Sequence, residues 1–245
     1  MKTIYHAADS RGDANHGWLK SKHTFSFANY HNPERMGFGA LRVINDDFVI
    51  AGQGFGSHSH RDMEIISIPL SGKLGHGDNI GNNGIIETGE IQVMSAGTGI
   101  THSEMNADDN EAVKFLQIWV IPNKMNVEPR YQQIRMDDLL EPNKFNQVLS
   151  PSADDAGVWI HQDAWFSMGN FDKGLTETYE LKNANNGVYL FIIGGKVVVN
   201  DNILATRDGL GVSDTKNFTM DVIDDAKVLL MEVPMPQCAF NAHWH

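Results

Sequence analysis

The sequence predicts an all-β protein built as two barrel-like halves, with metal ligands in the first half only. Three observations carry this. Residues 51–106 string Val, Ile and Phe runs between Gly clusters and show no sustained helical period. The same stretch holds two pairs of metal-ligating residue types, His58/His60 and His102/Glu104, each pair two apart. The second half keeps the same strand–turn–strand texture but has no second His-x-His before its terminal residues.

The spacing of the pairs fixes their chemistry. Residues two apart diverge on a helix and share a face on a strand, where two steps span roughly 6.6 Å. Two imidazoles at that spacing can close on one ion at metal–nitrogen distances of about 2.0–2.1 Å. On a regular strand, His58, His60, Asp62, Glu64, Ile66, Ile68 and Leu70 all face one way, polar at the mouth and apolar in the core. Ile100, His102 and Glu104 form a second such row. Together the rows offer three imidazoles and a carboxylate, and leave ligand positions open for water, O2 or substrate. Open positions mark a catalytic rather than a structural site. A lone histidine is more often a surface or hydrogen-bonded residue; two paired sets in strand settings favour the metal.

Before this stretch, Thr24, Phe25 and Phe27 with Ser26 between them predict a strand, and residues 32–39 a Pro/Gly loop. His16, His23 and His31 are unpaired and are read as residues of loops and strand ends. Residues 40–52 predict two strands around a turn at Asp46-Asp47, and Arg42 is read as a surface or structural ion-pairing group. Residues 71–84, dense in Gly, Asn and Asp, predict successive hairpin turns, with His76 as turn decoration. Strands follow over 85–97, broken at Gly89 and Gly97, and over 113–121, which closes the first barrel. Residues 122–133 read as a linker, so the division falls into 1–133, with the metal site, and 134–245, without one. In the second half, residues 136–145 leave room for a short helical turn. Residues 189–200 predict a hairpin at Gly194-Gly195, and 227–233 the last apolar strand. His161 is the only histidine there before His243 and His245, which read as a frayed terminus.

Composition excludes several classes. With 245 residues and 41% hydrophobic content the chain can bury a substantial core. A formal net charge of −12 argues against a phosphate-binding surface and so against nucleic acid. One cysteine, Cys238, allows no internal disulfide and fits a reducing compartment. No apolar run reaches membrane-spanning length and none resembles a signal core, so a soluble, cytoplasmic protein is expected.

The motifs resemble those of the cupins. Gly52, His58, His60, Glu64 and Gly72 match the first cupin motif, and Gly89, Gly97, His102 and Asn106 the second. More closely, HSHRDME, IQVMSAGTGITHSE and IWVIPNKMNVEPRYQ resemble the pirin family. HGWLKSKHTFSFANY and MGFGALRVINDD resemble its bacterial, quercetinase-type members. The likeness is strong over residues 10–135 and looser beyond. Ser95 stands where the second motif usually has Pro, and four residues separate Gly97 from His102; both departures suit pirins. Gly72 comes one residue late.

The resemblance implies a bicupin of two double-stranded β-helix (jelly-roll) barrels, only the N-terminal one holding metal. The same-face argument leaves the fourth ligand open between Glu64 and Glu104. Pirins use the glutamate two after the last histidine, so the resemblance selects Glu104 and leaves Glu64 as a buried hydrogen-bonding group. It also implies Fe(II) as the ion, with Cu, Ni, Mn, Co or Zn as alternatives that imidazole and carboxylate ligands accept. The implied activity is quercetin 2,3-dioxygenase, opening a flavonol ring with O2 and losing carbon monoxide, with Glu104 as general base, in a monomeric chain. The alternatives are a metal-dependent, redox-sensitive protein-interaction module, and a dioxygenase of another phenolic or enol substrate.

Overall fold

The computed structural model describes residues 1–235; Cys238, His243 and His245 lie outside the described residues. Apart from one 3-10 turn, Ala8–Ser10, the described residues form strands and their connections. No described helix is long and apolar enough to cross a membrane.

The first half makes two sheets. Seven strands pair in the order Arg130–Arg135, Glu90–Ser95, Glu64–Ser71, Val113–Val120, Leu41–Val49, Leu19–His23 and Gly12–Asn15. Four more pair in the order Gly54–His60, Ile100–Asn106, Lys73–Asp78 and Asn83–Glu87. The sheets enclose one barrel, closed at one end where Leu19, Val49, Val113 and Phe115 of the larger sheet pack on Leu74 and Ile86 of the smaller. The second half forms a nine-stranded sheet. Its edge includes the N-terminal strand Lys2–His6, antiparallel to Gly209–Ser213, so strand pairing crosses from the start of the chain into its second half.

Strand alternation splits the central strand Val113–Val120 between two environments. Phe115, Gln117 and Trp119 face the first barrel. Leu116, Ile118 and Val120 face outward, where they join Ile66 and Ile68 and meet Val148, Phe166, Leu229 and Met231 of the second half in one continuous core.

Several local expectations change. Residues 24–27 are not a strand; only the bridge Phe27–Tyr30 marks them. Leu41–Val49 runs straight through Asp46-Asp47, because Asp46 is held by Arg11 and Arg207 while Asp47 turns into the barrel. The expected hairpin at 189–200 is one strand, Asn186–Val199, whose glycines are absorbed by register shifts against the last strand. That last strand is longer than its apolar stretch, Asn217–Pro234, since its first part also pairs with Thr176–Glu180. Residues 136–145 contain turns but no helix.

Candidate metal centre

Two adjacent strands of the small sheet bring the expected ligands together. Gly54–His60 and Ile100–Asn106 are antiparallel with His102 opposite His58 and Ile100 opposite His60. The ring centroids lie 4.8 Å (His58–His60), 4.5 Å (His58–His102) and 5.0 Å (His60–His102) apart. One nitrogen from each ring falls within 4.8 Å of the other two.

The rings are prepared as neutral donors. Burial, aided by the neighbouring imidazoles, pushes His60 down to about 4 and His102 down to about 3. His58 Nδ1 lies 2.8 Å from the Gly56 carbonyl oxygen, so that nitrogen carries the proton and Nε2 keeps a lone pair. Both nitrogens of the buried His102 lack a hydrogen-bond partner among the described residues. Such an orphan imidazole is costly in a fold unless something else engages it. Together with His58 and His60 it makes a three-imidazole donor set that a divalent transition metal fits.

Glu104 is buried on the same strand but is not in the 4.8 Å set. Ser67 Oγ donates to its Oε1 at 2.9 Å and Gln117 Nε2 to its Oε2 at 2.5 Å. Burial raises its pKa; the bonds from Ser67 and Gln117 and the nearby histidines oppose that rise.

Glu64 is placed elsewhere. The strand His60–Glu64 is not regular: Asp62 takes a left-handed φ of 48°, so the chain breaks between Gly54–His60 and Glu64–Ser71 and the alternation restarts. Ile65, beside Met94 and near Trp119, therefore faces the histidine side. Ile66 and Ile68 point to the inter-half core instead of sharing the histidine face. Glu64 accepts a bond from Ser95 Oγ at 2.6 Å, on the sheet face turned away from the three imidazoles.

His58 and His60 open onto a cavity of about 510 Å3. Trp18, Phe27, Phe55 and Trp119 give it aromatic walls, with Trp119 5.0 Å from His60 and Phe27 edge-on to Trp119 at 5.4 Å. Glu104, Gln117, Asp47, Asn45 and His23 supply its polar surface.

Some of these groups escape a reading for paired ligands. Gln117 and Ser67 interrupt apolar strands at positions that register places side by side; a polar residue in the middle of VKFLQIWV was the available signal. His23 ends the strand Leu19–His23 as expected, but it is buried and lines the cavity. His76 is in the strand Lys73–Asp78, not a turn. It is buried opposite Glu104, 3.0 Å from Asp78 and 5.4 Å between ring centroids from His102.

Comparison with known proteins agrees with this architecture. The family model described as Pirin matches residues 5–120, and that of the quercetinase C-terminal cupin domain matches residues 147–233. The chain is 43% identical to a quercetin 2,3-dioxygenase of Escherichia coli (strain K12), over 93% of this chain and 96% of that one. It is 40% identical to a pirin-like protein of Caulobacter vibrioides, over 91% and 96%. The crystal structure of the bacterial pirin YhhW from Escherichia coli in complex with nickel(II) superposes with a TM-score of 0.90 at 41% identity, covering 96% of this chain and all of that one.

Proposed function

The chain belongs to the pirin family, and from that premise we propose that it is a metal-dependent dioxygenase that opens the heterocyclic ring of flavonols such as quercetin with O2. The observation that carries this reading is the cluster of His58, His60 and His102, of which His58 and His60 share an aromatic-walled cavity with the buried Glu104 carboxylate. Quercetin 2,3-dioxygenase is the name of the 43% identical relative.

His58, His60 and His102 would hold the ion, Fe(II) in our reading, with Glu104 as the carboxylate beside them. A divalent ion held there would lower the pKa of a flavonol 3-hydroxyl, as it does for bound water. Glu104 accepts that proton at a carboxylate oxygen. Its burial raises its basicity toward what a base working near neutral pH requires. Trp18, Phe55 and Trp119 flank a planar ring and exclude water from it. The deprotonated, electron-rich ring then takes up O2 and opens with release of carbon monoxide.

The test is anaerobic loading with Fe(II), addition of quercetin, then air, following loss of the flavonol absorbance. Glu104→Gln keeps metal and lowers turnover by about 10²–10⁴. Wild-type rates in that variant remove the base. His58→Ala and His102→Ala lower bound metal in elemental analysis, and full occupancy in either contradicts its ligand role. No flavonol loss with any first-row metal sinks the dioxygenase reading.

A further inference from the structure

The mechanism leaves one corner of the cavity unused. Strand register sets two rows of side chains side by side on the barrel's inner face. Ser21, Asp47 and Phe115 form one row; His23, Asn45 and Gln117, with Ser67, form the next. The rows are two residues apart along each strand, about 6.6 Å. Glu104 docks on the Ser67–Gln117 end of the second row. Asp47 therefore stands one row away from the groups that hold the proposed base.

Asp47 is only 4% exposed yet lines the cavity, and no protein donor among the described residues reaches its Oδ1. A buried carboxyl oxygen without a donor costs stability unless the cavity's contents supply one. Ser21 is the one neighbouring side chain that bonds this carboxylate, and among the described lining residues there is no Lys or Arg, which leaves Oδ1 free for a ligand O–H. Burial, opposed by a bond from Ser21 and reinforced by Glu104 and Asp46, pushes Asp47 up to about 7, so near neutral pH the carboxyl can accept or donate. His23 adds a second acceptor. Its Nδ1 lies 2.8 Å from Asn45 Oδ1, which puts the proton on Nδ1 and leaves Nε2 bare. Its ring leans on Phe27, an aromatic wall, at 5.2 Å between centroids.

We propose that Asp47, with His23 beside it, is a specificity-determining subsite that binds a second hydroxyl of the substrate, apart from the one whose proton Glu104 takes. The ligand class is then a polyhydroxylated aromatic, not merely one enolic hydroxyl on an apolar ring. This rests on the reading of the cavity as a flavonol-type site, and it adds a discrimination that the metal ligands cannot make. A site built to pair a buried polar group with a substrate hydroxyl rejects an analogue lacking it more strongly than an apolar wall does.

The test compares quercetin with 3-hydroxyflavone, which keeps the 3-hydroxyl and lacks the others. Binding to the Fe(II)-loaded chain is measured by calorimetry without O2, so that turnover does not enter. The wild type is expected to bind quercetin at least tenfold tighter. Asp47→Asn, which keeps the shape, lowers that ratio at least threefold. Asp47→Leu brings it to about one, while 3-hydroxyflavone binds within threefold of wild type. A wild type without preference overturns the subsite, as does an unchanged ratio in Asp47→Asn; should the Leu variant fail to fold, Asp47→Asn decides alone. A purely structural Asp47 would shift the melting temperature and leave the ratio untouched. If the preference is present and Asp47-dependent but air brings no flavonol loss, the subsite stands and the dioxygenase reading falls. Turnover with no preference gives the converse.

Discussion

Glu104 shows how two neutral side chains set the working range of a buried carboxylate. Burial alone penalises its charged form, while the Ser67 hydroxyl and the Gln117 amide donate to its two oxygens and favour that form. Deleting a donor therefore raises its pKa further. A base must be deprotonated to act, so the acid limb of the pH–rate profile must move to higher pH. Ser67→Ala is expected to lower kcat/KM for quercetin more at pH 6 than at pH 8, with an overall loss of about 10–100-fold, as for other groups that orient a catalytic ligand. Gln117→Leu should act in the same direction by a smaller amount, because Ser67 contributes more to holding the charge. Steady-state rates from pH 5.5 to 9 check this. An acid limb that stays in place in both variants would show that Glu104 does not control it.

At the scale of elements, the centre depends on how closely Gly54–His60 lies along Ile100–Asn106. The pairing is regular through His102 and His58, which face each other, and slips at a bulge between His102 and Glu104, whose partner is Phe55. Gly54 sits beyond the bulge, where a Cβ would fall 2.3 Å from the Glu104 carbonyl oxygen and 2.5 Å from Met105 Cα, both backbone atoms. Gly54→Ala must push the strands apart. A loss of about 1–3 kcal/mol in urea unfolding is expected, along with reduced metal occupancy although no ligand has changed. Undiminished metal content in a destabilised Gly54→Ala would mean that the two strands tolerate separation at this point. The same elements mark what the sequence could reveal. The three histidines come together because two-residue alternation is a local property of any strand. The alternation of Glu64 with His60 fails because a left-handed Asp62 intervenes, and nothing in HRDME announces such a break. The strand through Asp46-Asp47 was hidden for a related reason. An acidic pair looks like a turn until Arg11 and Arg207 are seen to claim one carboxylate and the cavity the other. Asp47, His23 and Gln117 come from three strands, and only their register makes them neighbours.

At the scale of the whole molecule, the halves share structure that neither has alone. The first strand of the chain completes the sheet of the second half, and Leu116, Ile118 and Ile66 bury against Phe166, Leu229 and Met231. Glu64 sits at this junction, 1% exposed, under Ser95 and close to Arg130, which donates to the Trp159 carbonyl at 2.6 Å and stacks on its ring at 3.9 Å. Burial pushes Glu64 up to about 7 from 4.5, with Ser95, the His161 backbone N–H and Arg130 only partly offsetting it. Between those values the folded chain holds a proton at Glu64 that the unfolded chain has released, so stability falls as pH rises through the window. The shift corresponds to about 3 kcal/mol, fully absent below about pH 4 and fully lost from stability above about pH 7. Glu64→Gln keeps the shape and the bond to Ser95 but cannot ionise. Asp47 and the buried histidines titrate in both proteins and cancel in the comparison. Urea unfolding of metal-free protein should therefore give a wild-type minus Glu64→Gln difference that grows more negative from pH 4.5 to pH 7 and then levels. A difference that does not change with pH would mean that Glu64 is ionised throughout, held by Arg130 as a buried ion pair between the halves.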